Sequence, residues 1–505
     1  MVDAEPRQLS IGDFVRRQAR RHGPRRLAVF EDGRALGYDE LDARSEQLAC
    51  GLAALGLPAG ASVGLMLDSS PEFLVASIGI AKAGLQEVPL HTAQKGAGLT
   101  HILRSADIRV VVTDACFRER LHTAAEALPA APLLPDVDDL LQAPAVALPR
   151  VSPLQTSTIL FTSGTTGLPK GVVRSHRADL LSGWRARVAL GYGPDDVLFN
   201  VFPLAHINAK CNTLFGAMLA GASVVLYQRF SASGFWDAIR RHGATSASFQ
   251  GAMLEILWKT RQEPDRVNPL RTGRAAPVPV HLHREFEAFF DVRLHESYGS
   301  TETGLLTVNL DRRLGSIGRE IAGHFEFAVL DENDDPVADG RPGLLAVRPR
   351  VAGAIFSGYL GQHEATLRTF RNLWHHTGDV VVRDEDGNFA FVRRDGSTIR
   401  RRGENITPWE VEQAVGKVAG VLECTAYGVP SELGEEEVMV AIVAVSDGAV
   451  DPAAVLRQCE AALPRYAVPR YLRFVAAIPK NDSQKPVVTA LKSEGVTGDT
   501  WERPA

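Results

Sequence analysis

Cysteine is scarce in this sequence and is not arranged for cross-linking. Of its 505 residues only five are cysteine, an odd number, and no two of them form a C-x-x-C pair. They are Cys50, Cys116, Cys211, Cys424 and Cys459. This pattern argues against a disulfide framework and against a zinc site built on clustered thiolates. We therefore expect a reducing, cytoplasmic location.

Long apolar runs and a targeting segment are also missing. The longest apolar stretch, residues 213–227, is interrupted by Gly216 and Gly221. It is shorter than the about 20 residues that a membrane-spanning helix needs. The first residues, Met-Val-Asp-Ala-Glu-Pro, lack the positive start and the apolar core of a signal peptide. We expect no membrane span.

An excess of positive charge is absent as well. The chain carries 55 Lys and Arg against 60 Asp and Glu, a net charge of −5. No global basic field recruits nucleic acid or an anionic membrane. With 45% hydrophobic and 23% charged residues, the composition is that of a globular protein. At about 150 residues per domain, the length predicts roughly three packing units.

Two alternating periodicities mark the first part of the chain. Asp39 is placed to cap a helix that ends at Gly56, and a strand over 62–67 follows. A helix over 71–82 and a strand over 108–113 come next. Strand and helix patterns that alternate in this way predict an α/β domain with a largely parallel sheet.

The last part of the chain has a different pattern. Arginine and aspartate dominate residues 393–402, and the segment 407–410 has a capping-box pattern with Pro at the first helical position. Beyond it the pattern predicts a small α+β unit. Its predicted elements are strands near 421–427 and 437–445, a helix from Asp451, and a strand near 471–475. We predict a large domain over 1–394 and a small domain over 395–505.

An acidic run at 331–336 could suggest a calcium loop. It lacks the spacing of an EF-hand and lies between apolar strands that end at Leu330 and resume near Gly343. We interpret it as a plain hairpin loop.

The strongest chemical signal is a segment in which an apolar strand runs into hydroxyls, glycines and a lysine. The residues that offer backbone N–H groups, hydroxyls and charge are Thr162, Ser163, Gly164, Thr165, Thr166, Gly167 and Lys170. Together they form a phosphate cradle, although a flexible Ser/Gly loop is the plain alternative. It is not the loop of kinases and GTPases, because Gly171 stands where the magnesium-binding Ser or Thr of that loop would be.

Three later motifs follow this segment in order: Tyr-Gly-Ser-Thr-Glu at 298–302, Trp-His-His-Thr-Gly-Asp at 374–379 and Arg-Arg-Gly-Glu-Asn-Ile at 401–406. With them, nearly the whole chain resembles the adenylate-forming superfamily, in particular its acyl- and aryl-CoA ligases. The resemblance implies a large N-terminal α/β domain of several subdomains and a small mobile α+β C-terminal domain.

The resemblance also implies roles for single residues at the nucleotide. Tyr298 would pack on adenine, Thr301 would meet the α-phosphate, and Glu302 would hold magnesium. Asp379 would accept from both ribose hydroxyls, and Arg394 would reach the same sugar. Core packing for Tyr298 and a solvated turn for Glu302 are the plain alternatives. The remaining residues implied for the ATP or AMP site are Gly273, Arg274, Ala275, Ser297, Gly299 and Ser300.

His206 falls where such ligases place a residue between the carboxylate site and the acyl pocket, although a structural histidine is the alternative. Peptide-synthetase domains commonly have an aspartate nearby to pair with an amino group. None stands here, so an amino-acid substrate is not expected. Residues 249–253 and 296–297 are predicted to line the acid pocket. Which carboxylic acid they take is left open.

Near the C-terminus, the segment 478–486 resembles the loop that delivers the adenylation lysine, which would be Lys485. Gln484 replaces the usual glycine, and Lys480 and Lys492 are alternatives. Rotation of the small domain would use a hinge at Asp395 and Gly396. A channel for coenzyme A (CoA) would be formed by Arg402, Gly403 and Glu404.

The implied reaction has two steps and uses ATP, Mg²⁺ and CoA as a substrate. A carboxylic acid forms an acyl-adenylate, and a thiol then displaces AMP. Only 20 residues, 505 − 485, follow Lys485, so we expect the thiol to arrive on a separate molecule. Transfer to a carrier protein, release of the adenylate, and a nucleotide-binding protein without catalysis are the alternatives. The oligomeric state is left open.

Overall fold

The structure is a computed structural model that describes residues 5–162, 169–394, 399–401, 404–406, 408–431, 436–446, 448–463, 465–480 and 486–503. The chain divides into two compact units. The first consists of Met1–Phe327, Val347–His375 and Asp386–Ala390. The second consists of Ala328–Ala346, His376–Glu385 and Phe391–Ala505. The predicted boundary at 394/395 remains a prediction.

The first unit contains most of the helices. Those described are Ile11–His22, Tyr38–Ala54, Pro71–Lys82, Gly96–Ser105, Ala115–Ala125, Val137–Leu141, His176–Leu190, Gly216–Ala220, Phe235–His242, Gly251–Lys259, His283–Phe290 and His363–Thr369, with a 3₁₀ turn at Glu263–Arg266 and a π-helix at Asn208–Phe215. Their starts follow local chemistry. In the helix Pro71–Lys82, Ser70 accepts from the Phe73 N–H and Pro71 is the first helical residue.

Two sheets organise the first unit. The larger one has nine strands in the order Arg319–Glu320, Gly304–Val308, Arg293–Ser300, Thr272–Ala275, Ser246–Phe249, Val197–Asn200, Ser223–Leu226, Arg26–Phe30 and Ala35–Gly37. The smaller one has six strands in the order Gly358–Tyr359, Lys170–Ser175, Thr156–Thr162, Gln86–Pro89, Ser62–Met66 and Val110–Thr113. Interior neighbours pair in parallel and antiparallel pairs lie toward the edges.

Parallel pairing decides where the site can form. The strands Val197–Asn200, Ser246–Phe249, Thr272–Ala275 and Arg293–Ser300 are consecutive and parallel in the nine-stranded sheet. Their carboxyl ends therefore meet at one edge, which is where ligands bind in open α/β sheets. His206 follows the strand Val197–Asn200 at this edge, and Thr301 and Glu302 follow the strand Arg293–Ser300.

A further sheet contains Phe325–Leu330, Pro342–Pro349, Trp374–Arg383 and Phe370–Arg371, with Phe389–Arg394 paired to Trp374–Arg383. The first three of these strands each carry residues of both units. The remainder of the second unit is a pair, Ile399–Arg401 with Glu404–Ile406, and a four-stranded sheet of Val421–Pro430, Glu436–Ala444, Tyr471–Phe474 and Thr500–Glu502. Its helices are Pro408–Val415, Pro452–Ala462 and Val488–Glu494, with a 3₁₀ turn at Arg465–Ala467.

Each unit has its own apolar core. In the first, one cluster packs helices against the six-stranded sheet around Phe14, Leu48 and Phe73, and another surrounds Phe249 and Phe286. In the second, a cluster around Val440 fills the space between the four-stranded sheet and its helices. The predicted fold class, a large α/β region followed by a small α+β region, is confirmed.

Several local predictions agree with the structure. The helix is Pro71–Lys82 as predicted, and the strand predicted over 62–67 is Ser62–Met66. The acidic run is a hairpin loop after Leu330, in which the Asp331 carboxylate accepts from the N–H groups of Asn333 and Asp335 at 2.9 and 3.0 Å.

The predicted cap at Asp39 is wrong. The helix begins one residue earlier, at Tyr38, and Gly37 is its N-cap without a side-chain hydrogen bond. The cause is tertiary: Tyr38 is buried, and its hydroxyl donates to the Ala222 carbonyl at 2.7 Å. Asp39 falls in the first turn, where its charge still favours the helix dipole.

Among the described residues, no helix combines the length and the apolar character that crossing a membrane requires.

Gly51 allows two helices to approach closely. It lies in the helix Tyr38–Ala54, and a Cβ there would come within 2.2 Å of the Leu140 carbonyl oxygen. Alanine favours a helix by about 1 kcal/mol over glycine, but overpacking costs about 1–3 kcal/mol. We expect Gly51→Ala to lower the free energy of unfolding, measured by urea denaturation. The exposed Ala53→Gly of the same helix is the control for propensity alone. A Gly51→Ala variant as stable as the parent would contradict the close contact.

Candidate active site

The two ends of the predicted phosphate loop lie side by side. The strands Thr156–Thr162 and Lys170–Ser175 pair antiparallel, with Thr162 directly opposite Lys170. The Lys170 ammonium lies 5.5 Å from the centre of the Tyr359 ring. The predicted residues Ser163, Gly164, Thr165, Thr166 and Gly167 lie outside the described residues. The two strands that flank the loop thus form an antiparallel hairpin, and Lys170 is the first residue of the second strand.

A buried ion pair fixes the strand that follows this loop. Arg174 and Asp179 are fully buried, and Arg174 Nε donates to Asp179 Oδ1 at 2.6 Å. The other carboxylate oxygen of Asp179 accepts from the hydroxyls of Ser157 and Thr158 at 2.8 and 3.1 Å. Burial alone would raise the pKa of Asp179, but the charges of Arg174 and Lys210 and these hydrogen bonds outweigh it and lower that pKa. Asp179 therefore remains ionised.

A second buried ion pair joins the first through Thr158. Lys210 Nζ contacts the carboxylate of Glu87 and lies 3.5 Å from Thr158 Oγ1, and Ser77 also donates to Glu87 at 2.6 Å. The four alternating charges Glu87, Lys210, Asp179 and Arg174 are called the buried charge cluster below. They come from separate elements and sum to zero, which makes their burial tolerable.

The cluster positions the turn that carries the predicted Thr301 and Glu302. Arg174 Nη1 donates to the Thr301 carbonyl at 2.7 Å, and the Phe356 N–H donates to the Glu302 carbonyl at 2.7 Å. Ser300 and Thr303 close the turn by reciprocal bonds between their backbone N–H groups and hydroxyls, at 3.1 and 3.3 Å. The backbone of both predicted site residues is thereby held from two sides.

Tyr359 is a site residue that the motifs did not indicate. Its hydroxyl donates to Glu302 Oε1 at 2.9 Å, and its ring faces Lys170. It lies 57 residues from Glu302 in sequence, in the edge strand Gly358–Tyr359 that pairs with Lys170–Ser175. This strand pairing and the Phe356–Glu302 hydrogen bond bring it to the site. It orients the carboxylate predicted to hold magnesium.

The predicted adenine segment is a strand with a bulge. Tyr298 lies in Arg293–Ser300, and the register of that strand against Gly304–Val308 shifts between Tyr298 and Gly299. A Cβ on Gly299 would lie 2.1 Å from the Gly304 carbonyl oxygen, so only glycine fits. Tyr298 is half-buried.

The strand Thr272–Ala275 contains the predicted Gly273, Arg274 and Ala275, and it is buried throughout. A Cβ on Gly273 would lie 2.6 Å from the Phe249 ring. Arg274 turns its guanidinium toward polar side chains: Nη1 donates to Ser297 Oγ at 3.3 Å, and Nη2 donates to Ser248 Oγ at 3.2 Å and to Asn208 Oδ1. Of the residues predicted to line the acid pocket, Ser297 contacts Arg274, whereas the Phe249 ring lies against Gly273 in an apolar core cluster.

His206 precedes the π-helix Asn208–Phe215, after the carboxyl end of the strand Val197–Asn200. It is half-buried, and its ring lies 5.9 Å from that of His91 between centres. The π-helix also presents Asn208 to Arg274 and Lys210 to Glu87. π-Helices are rare and are frequent at functional sites. No feature of the sequence periodicity indicated this one.

Glu296, which is predicted to line the acid pocket, is a buried acid. Burial raises its pKa to about 8, although the Val278 N–H acts in the opposite direction. It pairs with Ala275 across the sheet. Since side chains alternate along a strand, Glu296 points to the opposite face from Ser297. At neutral pH it is mostly uncharged.

In the second unit, Asp379 is buried on the strand Trp374–Arg383. Its N–H donates to Thr377 Oγ1 at 3.2 Å, and that hydroxyl donates to the Leu345 carbonyl at 2.9 Å. Gly378 before it has a φ of +75°, a conformation that glycine adopts at little cost. Arg394 ends the strand Phe389–Arg394. These contacts fix the Asp379 backbone and leave its predicted role at the ribose untested.

Several predicted residues lie outside the described residues: Asp395, Gly396, Arg402, Gly403 and Lys485. Glu404 begins the strand Glu404–Ile406. The two alternative lysines are engaged elsewhere: Lys480 Nζ lies 2.9 Å from Glu423 Oε1, and Lys492 Nζ lies 3.3 Å from Glu436 Oε1.

Comparison with known proteins places this arrangement among nucleotide-dependent ligases. A family model described as AMP-binding enzyme matches residues 15–360, and one described as AMP-binding enzyme C-terminal domain matches residues 410–485. A sulfoacetate–CoA ligase of Cupriavidus necator is 33% identical over 472 residues, 90% of this chain and 92% of the relative. A crotonobetaine/carnitine–CoA ligase of Salmonella agona is 30% identical over 504 residues, 93% of this chain and 96% of the relative. The crystal structure of ATP-bound MatB from Rhodopseudomonas palustris is 25% identical, with a TM-score of 0.87 over 96% of this chain and 99% of that chain.

The buried charge cluster generates a test of stability. In Asp179→Asn the Arg174 guanidinium keeps its burial and loses its counter-ion, which typically costs about 3–5 kcal/mol. We expect a loss of that order in the free energy of unfolding, measured by urea denaturation. The control is Asp237→Asn, which breaks an exposed i,i+3 pair with Arg240 and should cost less than about 1 kcal/mol. Equal costs for the two variants would mean that the buried pair does not hold the turn.

Glu296 generates a test of pH dependence. The pKa of Glu296 is about 8 in the folded state, against an ordinary value of 4.5, so the folded state binds more protons between these values. Its contribution to stability is complete below about pH 4.5 and is lost as the pH rises toward about 8. The stability of Glu296→Gln relative to the parent should therefore increase from pH 5 to pH 8, roughly the limits of this range. The exposed Glu285→Gln is the control, and a pH-independent difference for Glu296→Gln would refute the assignment.

Proposed function

The chain belongs to the AMP-binding enzyme family and is an AMP-forming acyl-CoA ligase, and from this premise we propose how its residues divide the two half-reactions. In the first, a carboxylate oxygen attacks the α-phosphorus of ATP, the bond from that phosphorus to the leaving oxygen breaks, and pyrophosphate departs. In the second, the sulfur of CoA attacks the acyl carbon, the bond to the AMP oxygen breaks, and the thiol proton passes to solvent. The supporting observation is the Thr301–Glu302 turn, which Arg174 ties to the strand beginning at Lys170.

The phosphates of ATP bind between the loop Thr162–Lys170 and this turn. The loop supplies backbone N–H groups, hydroxyls and the Lys170 charge, and Thr301 supplies a hydroxyl at the α-phosphate. Because phosphoryl transfer needs positioning and electrostatic stabilisation more than covalent help, a turn fixed by buried charges is suited to it. Tyr298 packs on adenine, and Gly273, Ala275, Ser297, Gly299 and Ser300 supply the surrounding walls.

The donor groups fit a magnesium ion shared with the phosphates. Among the described residues, no group of three or more His, Cys, Asp or Glu side chains could hold a metal alone. Magnesium usually takes one or two carboxylates together with substrate phosphates. Glu302 would hold it, with its carboxylate oriented by Tyr359. When bound, the ion supplies charge neutralisation at the phosphates.

In the second unit, Asp379 and Arg394 hold the ribose. Lys485 delivers its charge to the α-phosphate during adenylation, and Asp395 and Gly396 form the hinge on which the small domain turns. Arg402, Gly403 and Glu404 line the path of the CoA thiol. The ion pairs of Lys480 and Lys492 favour Lys485 among the three lysines.

The acid enters past His206, which separates the reacting carboxylate from the rest of the acyl pocket. The relatives are named for different acids, sulfoacetate in one and crotonobetaine or carnitine in the other. Relatedness alone therefore does not select the acid, and the lining of the pocket must do so.

Lys485→Ala tests the division of labour. A preorganised charge at the transition state is typically worth about 2.7–4 kcal/mol, so ATP–pyrophosphate exchange should fall by roughly 10²–10³-fold. The same variant, given acyl-adenylate and CoA, should form thioester at nearly the parental rate, because the charge is not needed when the thiol attacks.

Lys480→Ala and Lys492→Ala are the matched controls for losing one lysine in the same region. Equal damage to both half-reactions in Lys485→Ala would contradict the rotation of the small domain. Pyrophosphate release that continues without CoA but yields no thioester with it would favour a carrier protein as the acceptor.

A further inference from the structure

Arg274 is a buried cation whose partners are all neutral. Its exposed fraction is 6%. It donates to the hydroxyls of Ser297 and Ser248 and to the amide oxygen of Asn208. These groups orient the guanidinium and leave its charge uncompensated.

Four other buried cations in the described part of the chain are paired with carboxylates. Lys82 pairs with Asp42 and Glu46, and Arg174 with Asp179. Lys210 pairs with Glu87, and Arg401 with Glu437. Arg185 forms no ion pair with any described residue: it donates to the Leu305 carbonyl and lies over the Phe325 ring, and the charges of Glu320 and Glu5 act on it from beyond ion-pair distance. Arg274 has no comparable partner among the described residues.

Glu296, on the adjacent strand, does not serve as a counter-ion for Arg274. It points to the opposite face of the sheet and is mostly protonated at neutral pH. Burial lowers the pKa of Arg274, and the phenol of Tyr192 acts in the opposite direction. A phenol is neutral at physiological pH, so it does not balance the guanidinium.

Burying a charge without a counter-ion is costly, and hydrogen bonds to neutral groups offset only part of that cost. Arginine presents a planar fork that matches oxyanions in two-point contact. Here two of its nitrogens are fixed by neutral acceptors, as expected of a group held in place for an anion that arrives from solution.

The location identifies that anion. Asn208 lies two residues after His206 and Ser297 directly precedes Tyr298, so the guanidinium lies between the segment assigned to the acid and the segment assigned to adenine. We propose that Arg274 binds a second anionic group, a carboxylate or a sulfonate, on the acid that this enzyme activates. The inference rests on the proposed function. Within it, the Arg274 guanidinium selects the acid, while the backbone of its strand lines the nucleotide site.

The reacting carboxylate is a poorer match. It must become a mixed anhydride with AMP, and a buried arginine on it would stabilise the ground state that the reaction has to leave. A second group keeps its charge through both half-reactions. Arg274 then contributes to the affinity for acid and adenylate alike.

The first experiment measures binding by thermal shift, without catalysis. Matched acids differ in the second charge: malonate, succinate and glutarate against propanoate, butanoate and pentanoate, and sulfoacetate against methylsulfonylacetate. The parent should be stabilised more by the doubly charged member of a pair, and Arg274→Met should lose that difference. Whether the dicarboxylates or the sulfonate give the larger shift identifies the group. Equal shifts within every pair for the parent would overturn the inference.

Arg274→Met is expected to fold, since it removes an uncompensated buried charge and keeps a side chain of similar length. Its melting temperature without ligand should match or exceed that of the parent. Arg271→Met, which breaks a half-exposed pair with Asp196, is the control and should keep the parental acid preference. ATP should stabilise Arg274→Met as it does the parent. Loss of that effect would place the guanidinium at the nucleotide and overturn the inference.

The second experiment measures ATP–pyrophosphate exchange with the same acids. Because the anion loses one partner of a buried charged pair, kcat/KM for the preferred doubly charged acid should fall by about 100-fold in Arg274→Met. Its matched monocarboxylate should be affected little. An equal loss for both would mean that Arg274 binds the reacting carboxylate. Selective thermal shifts without exchange for any acid would refute the proposed function and leave the Arg274 site supported.

Discussion

The buried charge cluster is the interaction on which the rest of the site depends. Arg174 and Asp179 place two opposite charges where water cannot reach them, and Lys210 and Glu87 add a second pair connected through Thr158. In a low-dielectric interior such charges tolerate little displacement, because each is stable only while its partner is in place. The strand leading into the phosphate loop, the strand leaving it and the Thr301–Glu302 turn therefore have one fixed relation.

The same cost of burying a charge without its counter-ion applies to Arg274. The folded chain supplies counter-ions for the cations of the charge cluster and leaves this guanidinium with hydroxyls and an amide. At a buried position, an apolar residue or an ion-paired residue gives the more stable protein. An uncompensated buried charge therefore indicates a role in binding rather than in stability. Proteins commonly lose stability at positions that recognise a ligand. The cluster and Arg274 thus separate two uses of buried charge, one that fixes the framework and one that selects the substrate.

A structural feature could be predicted from the sequence when the residues that produce it lie close together along the chain. The helix Pro71–Lys82 was predictable because Ser70 and Pro71 act within one turn, and the motifs located Thr301 and Glu302 because their order along the chain is characteristic. Asp39 was assigned wrongly because Tyr38 is held by a carbonyl 184 residues away. Tyr359 and the Lys210–Glu87 pair were missed for the same reason, since strand pairing and burial join residues 57 and 123 positions apart.

Glu296 shows why the pocket keeps a positive character near neutral pH. Its strand lies beside that of Arg274, and an ionised carboxylate there would lower the potential that an incoming anion meets. Burial keeps its proton in place up to about pH 8, and its orientation to the other face of the sheet prevents a direct pair with the guanidinium. Burial disfavours the charge of both groups, but the ordinary pKa of arginine is high enough that Arg274 stays charged, whereas burial raises the pKa of Glu296 to about 8. A site that takes an anion needs both conditions, since a cation with a resident partner would have to give up that partner before it could bind the substrate.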